Sequence, residues 1–226
     1  MEDILNTLFP NFIQRWPDFV TAFSDTLVMV VWAGAIAFVL GIVLGIIITV
    51  TRPGGIVENK VLYQILDKVI NLFRSIPFII LLTLLMPLSR MIMGTAINVR
   101  GAIVPLVFGT TPFFARQVES ALAQTNGGLV EAALSMGDSP WEIIVHVYLR
   151  EGFSQIARAT TITAISLLGE TAMAGAVGAG GLGDFAIRYG HDRNMTDITW
   201  VTVIVLVIFV SLIQNFGNWI AHRHEH

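Results

Sequence analysis

The sequence predicts an all-α integral membrane protein, and its low charge and long apolar runs carry that prediction. The chain has 226 residues, of which 54% are hydrophobic and 13% are charged, and its mean hydropathy is +0.73. Soluble domains carry about 25% charged residues, so the charge here is about half the usual share. The net charge of −3 gives no basic surplus of the kind that nucleic-acid binding needs. The chain has no cysteine, which excludes disulfides and thiolate chemistry.

Five apolar segments are long enough to cross a bilayer core of about 30 Å as helices. These spans are predicted at about residues 27–50, 76–93, 102–121, 156–177 and 198–220. Gly34, Gly41 and Gly45 place small residues near one face of the first span, which favours close helix packing. Residues 59–73 repeat apolar side chains at helical spacing, which predicts an amphipathic helix along the membrane interface.

The two ends of the chain lie outside these spans. Residues 1–18 contain two prolines and several aromatic side chains, which indicates an extracytoplasmic interfacial segment. Residues 222–226 form a cytoplasmic tail in which three histidines alternate. Those histidines could chelate a metal weakly, but a solvated tail or the remnant of a tag explains them as well. We therefore predict no metal site.

Basic residues set the orientation, because they are enriched in cytoplasmic segments. With the N-terminus outside and the C-terminus inside, the inner segments hold Arg52, Lys60, Lys68, Arg74, Arg116, Arg150, Arg158 and Arg223, and the outer segments hold Arg15, Arg90, Arg100, Arg188 and Arg193. This inner surplus is modest, and it places the polar stretch 127–150 in the cytoplasm, where ATP is.

The polar stretch 127–150 lies between the third and fourth spans and predicts two short helices at an angle. Gly127 and Gly128 are expected to break the preceding helix, and residues 129–136 make about two helical turns. Gly137 is placed to end that helix in a left-handed turn. Ser139 and Pro140 form an N-cap and first-turn pair that opens the second helix. Two such helices at a membrane surface suit contact with another protein.

The spacing of this stretch resembles the signature of type I ABC importer permeases, Glu-Ala-Ala-x3-Gly-x9-Ile-x-Leu-Pro. Glu131 opens the matching run, Val147 stands for the family's Ile, and Arg150 stands where the family usually has Pro. The resemblance implies that the loop forms coupling helices that dock into a separate ATPase subunit. An ordinary cytoplasmic helical hairpin is the alternative, since Glu-Ala-Ala is a common helical tripeptide. The coupling residues implied by the resemblance are Glu131, Ala132, Ala133, Gly137, Asp138, Ser139, Pro140 and Leu149.

Nucleotide-binding motifs do not explain this chain. A P-loop needs the sequence Gly-Lys-Ser/Thr. The lysines of this chain, Lys60 and Lys68, follow Asn59 and Asp67 and not a glycine. The run from Gly178 to Gly183 satisfies Gly-x-Gly-x-x-Gly, but a dinucleotide site would need a preceding strand and a following helix. A tight turn that lets backbones approach closely explains these glycines instead, within a loop predicted over residues 178–197. No cofactor is expected in this chain, and ATP and magnesium would bind the partner ATPase.

Glu170 is the charged residue whose predicted depth in the membrane is hardest to explain. A carboxylate at mid-helix depth costs about 2.5–3.5 kcal/mol on insertion scales, so it should face a partner or a watery path. Two interpretations stay open: Glu170 lines the translocation path and meets the ammonium of an amino acid, or it pairs within the helix bundle. Met173 lies one turn onward, where its thioether suits either packing or a closing apolar plug. Arg116 and Glu119, at i and i+3, predict a simple intrahelical pair.

Two further segments resemble methionine-importer permeases, namely residues 74–81 and residues 174–184. This resemblance implies the type I ABC importer permease fold over residues 19–221, in the bacterial inner membrane. It also implies a homodimer, two cytoplasmic ATPase subunits, an extracytoplasmic methionine-binding protein and surrounding lipid. The chain itself would not be an enzyme. An importer permease for another amino acid or small solute and an ATP-independent carrier or channel stay open as alternatives, while an intramembrane enzyme would need more acid, base or nucleophile groups than Glu170 supplies.

Overall fold

The structure is a computed structural model that describes residues 8–223, and every regular element in that range is helical. The helices are α1 (Pro10–Gln14), α2 (Trp16–Thr51), α3 (Lys60–Ser75), α4 (Phe78–Leu84), α5 (Met86–Met93), α6 (Asn98–Leu122), α7 (Gly127–Met136), α8 (Pro140–Ile143), α9 (Phe153–Ala174), α10 (Gly181–Phe185) and α11 (Thr196–Arg223). Helices α8, α9 and α10 continue into the π-helical segments Ile144–Leu149, Gly175–Ala179 and Ala186–His191. The predicted residues 1–7 of the N-terminal segment and residues 224–226 of the tail lie outside the described residues.

Three helices among the described residues are long and apolar enough to cross a membrane. They are α2 with 36 residues, α9 with its π-helical extension to Ala179 with 27, and α11 with 28. Helices α5 and α6 meet the same criterion together, although they are bent by 118° at the break between them. The predicted spans near 27–50, 102–121, 156–177 and 198–220 lie within helices of the structure, and their exact limits in the bilayer stay predictions.

The predicted second span, residues 76–93, is divided into two short helices. Helix α4 has 7 residues and α5 has 8. Pro77 precedes the first helix and Pro87 falls in the first turn of the second, and a proline is tolerated at helix starts but not in helix interiors. At about 1.5 Å per residue, neither helix alone reaches across a core of about 30 Å.

Helix α2 begins at Trp16, ahead of the predicted first span, so the last residues of the predicted interfacial segment already belong to it. Pro17 falls in its first turn, where the missing N–H would lack a helical partner in any case. Helix α1 lies just before it. Its residue Asn11 donates from both its backbone N–H and its side-chain amide to the carboxylate of Asp197, each at 3.0 Å.

The chain divides into two compact units. Unit 1 takes in the chain up to Ala35, Pro77–Val107 and Ala164–Ile213, and unit 2 takes in Ile36–Ile76, Phe108–Thr163 and the chain from Gln214 onward. Unit 1 has two buried clusters, one around Met29, Leu106 and Leu167 and one around Phe185 and Ile198. Unit 2 has its main buried cluster around Phe114, Val118, Ile143 and Tyr148.

Two of the predicted small residues of α2 allow close helix packing within unit 2. A side-chain carbon at Gly41 would lie 2.6 Å from the ring of Phe114, and one at Gly45 would lie 2.6 Å from Val118. Side-chain carbons do not approach other atoms so closely, so only glycine allows α2 to pack this near α6. The predicted role of these glycines is confirmed.

The predicted pair of Arg116 and Glu119 forms, with 2.6 Å between guanidinium and carboxylate. The structure adds contacts that spacing along α6 could not indicate. Arg116 also donates to the carboxylate of Asp67 at 2.6 Å and to the side chain of Asn71 at 3.1 Å, both on α3. Polar residues of α3 therefore bond to α6. The apolar side chains of Val61 and Leu72, also on α3, are exposed in the isolated chain.

The predicted loop over residues 178–197 is wrong, because most of this segment is helical and packed. Gly181, Leu182, Gly183 and Phe185 are buried in α10. The backbone N–H of Leu182 donates to the hydroxyl of Thr26 at 2.8 Å. A run of glycines in sequence indicates a loop, but these glycines allow backbone segments to pack closely against each other.

Candidate functional site

The first half of the polar stretch is helix α7, which begins two residues earlier than its apolar pattern predicts. Asn126 is the N-cap, and its side chain accepts a hydrogen bond from the backbone N–H of Gly128 at 2.9 Å. This cap satisfies one of the unpaired N–H groups at a helix start, so the paired glycines open the helix. Ala133 is buried, while Glu131 and Ala132 on the remaining surface are exposed.

Gly137 ends α7 in the left-handed conformation, as the sequence predicts, with φ of 88°. Its N–H donates to the carbonyl of Leu134 at 3.1 Å, and the N–H of Asp138 reaches back to the carbonyl of Ala133 at 3.1 Å. These bonds satisfy carbonyls that the end of a helix otherwise leaves unpaired. A side chain at position 137 would meet nothing within 4 Å, so backbone conformation, and not space, requires glycine there.

Ser139 and Glu142 form a complete capping box at the start of α8, with Pro140 in the first turn. The carboxylate of Glu142 accepts from the N–H of Ser139 at 2.8 Å and from its hydroxyl at 2.6 Å. These two donors favour the charged form, and they lower the pKa of the Glu142 carboxyl below its ordinary value. The sequence predicts this helix start, and local hydrogen bonds fix its direction.

The second helix of the polar stretch runs into α9 with little interruption. Tyr148 is buried, and Val147 and Leu149 pack against the same cluster of unit 2. Arg150 keeps right-handed helical dihedrals, and its N–H donates to the carbonyl of Val147. A proline there could not make that bond, so Arg150 suits a continuous connection. The N–H of Gly152 then bonds to Tyr148 at 2.9 Å. Motion of the polar stretch would therefore reach the start of α9 directly.

Large apolar side chains project from this otherwise polar stretch. Met136 is 77% exposed and Trp141 is 72% exposed, and Leu129 and Leu134 are each more than 40% exposed. We call these four side chains the apolar patch. A tryptophan this exposed on a helix already held by caps and core contacts indicates a surface for a protein partner. The sequence pattern does not predict this patch, although Met136 and Trp141 are large apolar residues within a polar stretch.

Glu170 and Met173, the predicted path residues, lie on the part of α9 that belongs to unit 1. Glu170 is partly buried and interacts with another group of the chain. Met173 is 43% exposed. The coupling residues belong to unit 2, so the two predicted sites are separate groups of residues. Their roles in a path stay predictions.

The glycine run from Gly178 to Gly183 lacks the setting that a dinucleotide site requires. A membrane-length helix precedes it, and no strand occurs in the described range 8–223. A side-chain carbon at Gly183 would collide with the carbonyl oxygen of Ala172. The predicted close approach of backbones at these glycines is confirmed.

Comparison with known proteins agrees with this architecture. Residues 39–225 match the family described as "Binding-protein-dependent transport system inner membrane component". The chain is 45% identical over 221 residues to a probable D-methionine transport system permease protein, MetI, of Vibrio cholerae, covering 98% of each chain. It is 40% identical to the methionine import system permease protein MetP of Bacillus subtilis, over 76% of this chain and 78% of that one.

A solved structure has the same fold along almost the whole chain. A chain of the MetNI methionine ABC transporter in an inward-facing conformation is 42% identical, with a TM-score of 0.92, covering 94% of this chain and 99% of that one. The fold is therefore that of the type I ABC importer permeases, as the sequence predicts. The chain belongs to the family of binding-protein-dependent transport system inner membrane components.

Proposed function

We propose that this chain is the membrane permease subunit of an ATP-driven methionine importer. It acts as a homodimer with two cytoplasmic ATPase subunits and an extracytoplasmic methionine-binding protein. Its relatives in Vibrio cholerae and Bacillus subtilis are named as methionine permeases and match it over most of their length. The chain lies in the bacterial inner membrane with its N-terminus outside and its C-terminus inside. ATP is hydrolysed by the partner subunits, since this sequence has no P-loop.

One observation carries the coupling role, namely the rigid polar stretch that presents an exposed apolar patch. Caps at Asn126 and Ser139 and the turn at Gly137 fix the two helices relative to each other. The connection through Arg150 joins them to α9. A docked ATPase can therefore move the start of a membrane-length helix by pushing on Trp141 and its neighbours.

A homodimer follows from the size of one chain. Three or four membrane-length spans among the described residues are too few to enclose a path for an amino acid while shielding polar backbone from lipid. Two copies double that number. When the partner ATPases close on ATP, the two polar stretches move together and the path opens outward, and hydrolysis resets it inward. We place Glu170 and Met173 on that path.

Substitutions in the polar stretch test the proposal. In the assembled importer, Glu131→Lys and Trp141→Ala should each lower methionine uptake at least tenfold, while nucleotide affinity of the ATPase stays unchanged. Losing one well-buried aromatic contact at an interface costs about 2 kcal/mol or more, which exceeds tenfold. Radiolabelled methionine uptake into proteoliposomes and nucleotide binding by fluorescence give the two readouts.

Trp200→Ala is the matched control, because Trp200 is similarly exposed but lies on α11, outside the polar stretch. Its uptake should remain near that of the unchanged protein. Normal uptake by Glu131→Lys, or methionine transport by the purified chain without ATPase subunits, would overturn the assignment. If another amino acid, and not methionine, stimulated ATP hydrolysis, the permease role would stand and the assignment of methionine as the substrate would be wrong.

A further inference from the structure

Three arginine side chains converge on a single aromatic ring in unit 1. The guanidinium carbons of Arg15, Arg188 and Arg193 lie 5.0, 5.1 and 4.9 Å from the ring centroid of Tyr189. Each distance is within the range of a cation–π contact. Tyr189 is 7% exposed, and its hydroxyl donates to the carboxylate of Asp18 at 3.1 Å. We call the three arginines the arginine cluster.

Distant parts of the chain are held together to build this cluster. The carboxylate of Asp197, at the start of α11, accepts hydrogen bonds from Asn11 and from the backbone N–H of Phe12 at 3.1 Å. These bonds fix α1 beside the start of α11, and Arg15 follows α1 directly. Arg15 and Tyr189 are more than 170 residues apart in sequence. They meet because the bonds to Asp197 hold α1, and with it Arg15, beside the start of α11.

The turn between α10 and α11 brings the other two arginines to the same ring. The π-helical segment Ala186–His191 carries both Arg188 and Tyr189. Asn194 adopts a positive φ of 54°, and the N–H of Met195 returns to the carbonyl of Tyr189 at 3.3 Å. This reversal folds Arg193 back over the ring that precedes it.

The three arginines have fewer carboxylate partners than they have positive charges. Arg15 pairs with Asp18 at 3.5 Å and Arg188 pairs with Asp184 at 2.6 Å. Arg193 makes no ion pair within residues 8–223. Three cations around one ring repel one another, and the Arg188 side chain is 54% exposed. An anion from outside the chain can therefore reach the cluster and pair with Arg193, which has no carboxylate partner among residues 8–223.

Exposed tryptophans mark the depth of the cluster in the membrane. Trp16 adjoins Arg15 and is 53% exposed, and Trp200, in the first turns of α11, is 67% exposed. Tryptophan is enriched at the headgroup level of bilayers. Helix α9 follows the polar stretch and is long enough to cross the membrane with its extension to Ala179. The residues after Ala179 therefore emerge on the side opposite the polar stretch.

We propose that the arginine cluster binds the phosphodiester of an anionic phospholipid in the outer leaflet of the membrane. The planar guanidinium group matches phosphate oxygens with two parallel N–H donors. Carboxylates of a protein partner would also meet the positive charge. The two exposed tryptophans favour lipid, because their rings suit the boundary between headgroup and acyl chain.

Native mass spectrometry of the detergent-purified importer tests this binding with phosphatidylglycerol, phosphatidylcholine and inorganic phosphate as separate probes. The unchanged protein should retain phosphatidylglycerol in preference to phosphatidylcholine. Arg193→Gln should weaken that retention about fivefold, the scale of one basic residue near an anionic surface, and Arg193→Lys should keep part of it. Inorganic phosphate at equal concentration should not displace the lipid, because it lacks the acyl chains.

Arg100→Gln is the matched control, since Arg100 is exposed in unit 1 and is not part of the cluster. Its lipid retention should equal that of the unchanged protein. Equal retention of both phospholipids, or equal loss in Arg100→Gln and Arg193→Gln, overturns the proposal. The proposal is also overturned if Arg193→Gln retains lipid normally but ATP hydrolysis is no longer stimulated by the binding protein. That result would assign the cluster to protein docking. Displacement by inorganic phosphate would reassign it to a free anion.

Discussion

The polar stretch 127–150 and the glycine-rich segment 175–193 both connect long helices, yet they are built in opposite ways. The polar stretch is defined by bonds between residues that are close in sequence, such as Ser139 with Glu142. The glycine-rich segment is defined by distant contacts, such as Leu182 with Thr26 and Tyr189 with Asp18. Most residues of the first are exposed, whereas the second has a buried centre formed by Gly181, Leu182, Gly183 and Phe185.

This difference teaches how a glycine should be interpreted in each region. Gly137 is needed for its backbone conformation, because open space surrounds it. Gly183 is needed for its size, because the backbone of Ala172 lies against it. Substituting one glycine should therefore act on a local turn, and substituting the other should act on the packing of unit 1.

Gly183→Ala should have the largest effect on stability. The added methyl would meet the backbone of Ala172, which cannot move aside as a flexible side chain would. Such overpacking costs about 3 kcal/mol, which exceeds the gain of about 1 kcal/mol for replacing glycine by alanine in a helix. Thermal unfolding in detergent, followed by tryptophan fluorescence, should show a clearly lower midpoint.

Gly127→Ala provides the contrast from the polar stretch. Gly127 is also helical, and an added methyl there meets nothing within 4 Å. The same substitution should therefore leave the unfolding midpoint unchanged or slightly raised. If both variants unfold at the same temperature, the close packing at Gly183 is not what holds the glycine-rich segment.

Gly137→Ala should have an intermediate effect, confined to the polar stretch. An alanine at a φ of 88° carries about 1–2 kcal/mol of backbone strain, and the strain can be relieved by reorienting α8. Methionine transported per ATP hydrolysed should therefore fall, while the unfolding midpoint changes little. Gly137→Asn is the control, because asparagine tolerates this conformation better. Equal transport by the alanine and asparagine variants would contradict a conformational role for Gly137.

The same contrast explains how much of the molecule the sequence could predict. The end of α7 at Gly137 and the start of α8 at Ser139 follow from signals within four residues, and both are confirmed. The spacing of Glu131, Gly137 and Leu149 resembles the family's signature, and membership of the family is confirmed. The helical structure after Gly178 could not be predicted, because its stability comes from contacts with residues more than 150 positions away.

The apolar patch and the arginine cluster were also beyond the sequence pattern. Trp141 could pack inward or project outward from a helix start, and only the buried Ile143 beside it shows which side faces the core. Arg15 and Arg193 belong to opposite ends of the chain, so no local spacing indicates that they share the ring of Tyr189. Side-chain direction and long-range contact are the two facts that one sequence leaves open.

Ser139→Ala should have the smallest effect of the destabilising substitutions, because the capping box is local and exposed. Losing a serine N-cap costs about 1 kcal/mol, and this cost should appear as faster amide hydrogen exchange in α8 and not as a lower unfolding midpoint. Ser139→Asp should largely preserve protection, since aspartate is also a favoured N-cap. Equal exchange in the alanine variant and the unchanged protein would show that core contacts at Ile143, not the cap, hold the helix start.

The acid dependence of the capping box gives a direct measure of its strength. Hydrogen bonds from Ser139 lower the pKa of the Glu142 carboxyl below its ordinary value in the folded protein. The stabilising contribution is therefore complete at neutral pH and is lost as the pH falls through that lowered pKa. In Ser139→Ala the pKa of Glu142 should rise toward the ordinary value, because the hydroxyl donor is gone. The carbon-13 shift of the Glu142 carboxyl, followed against pH, measures this pKa in the unchanged protein and in Ser139→Ala. Equal pKa values in the two proteins would mean that the backbone N–H alone holds the carboxylate.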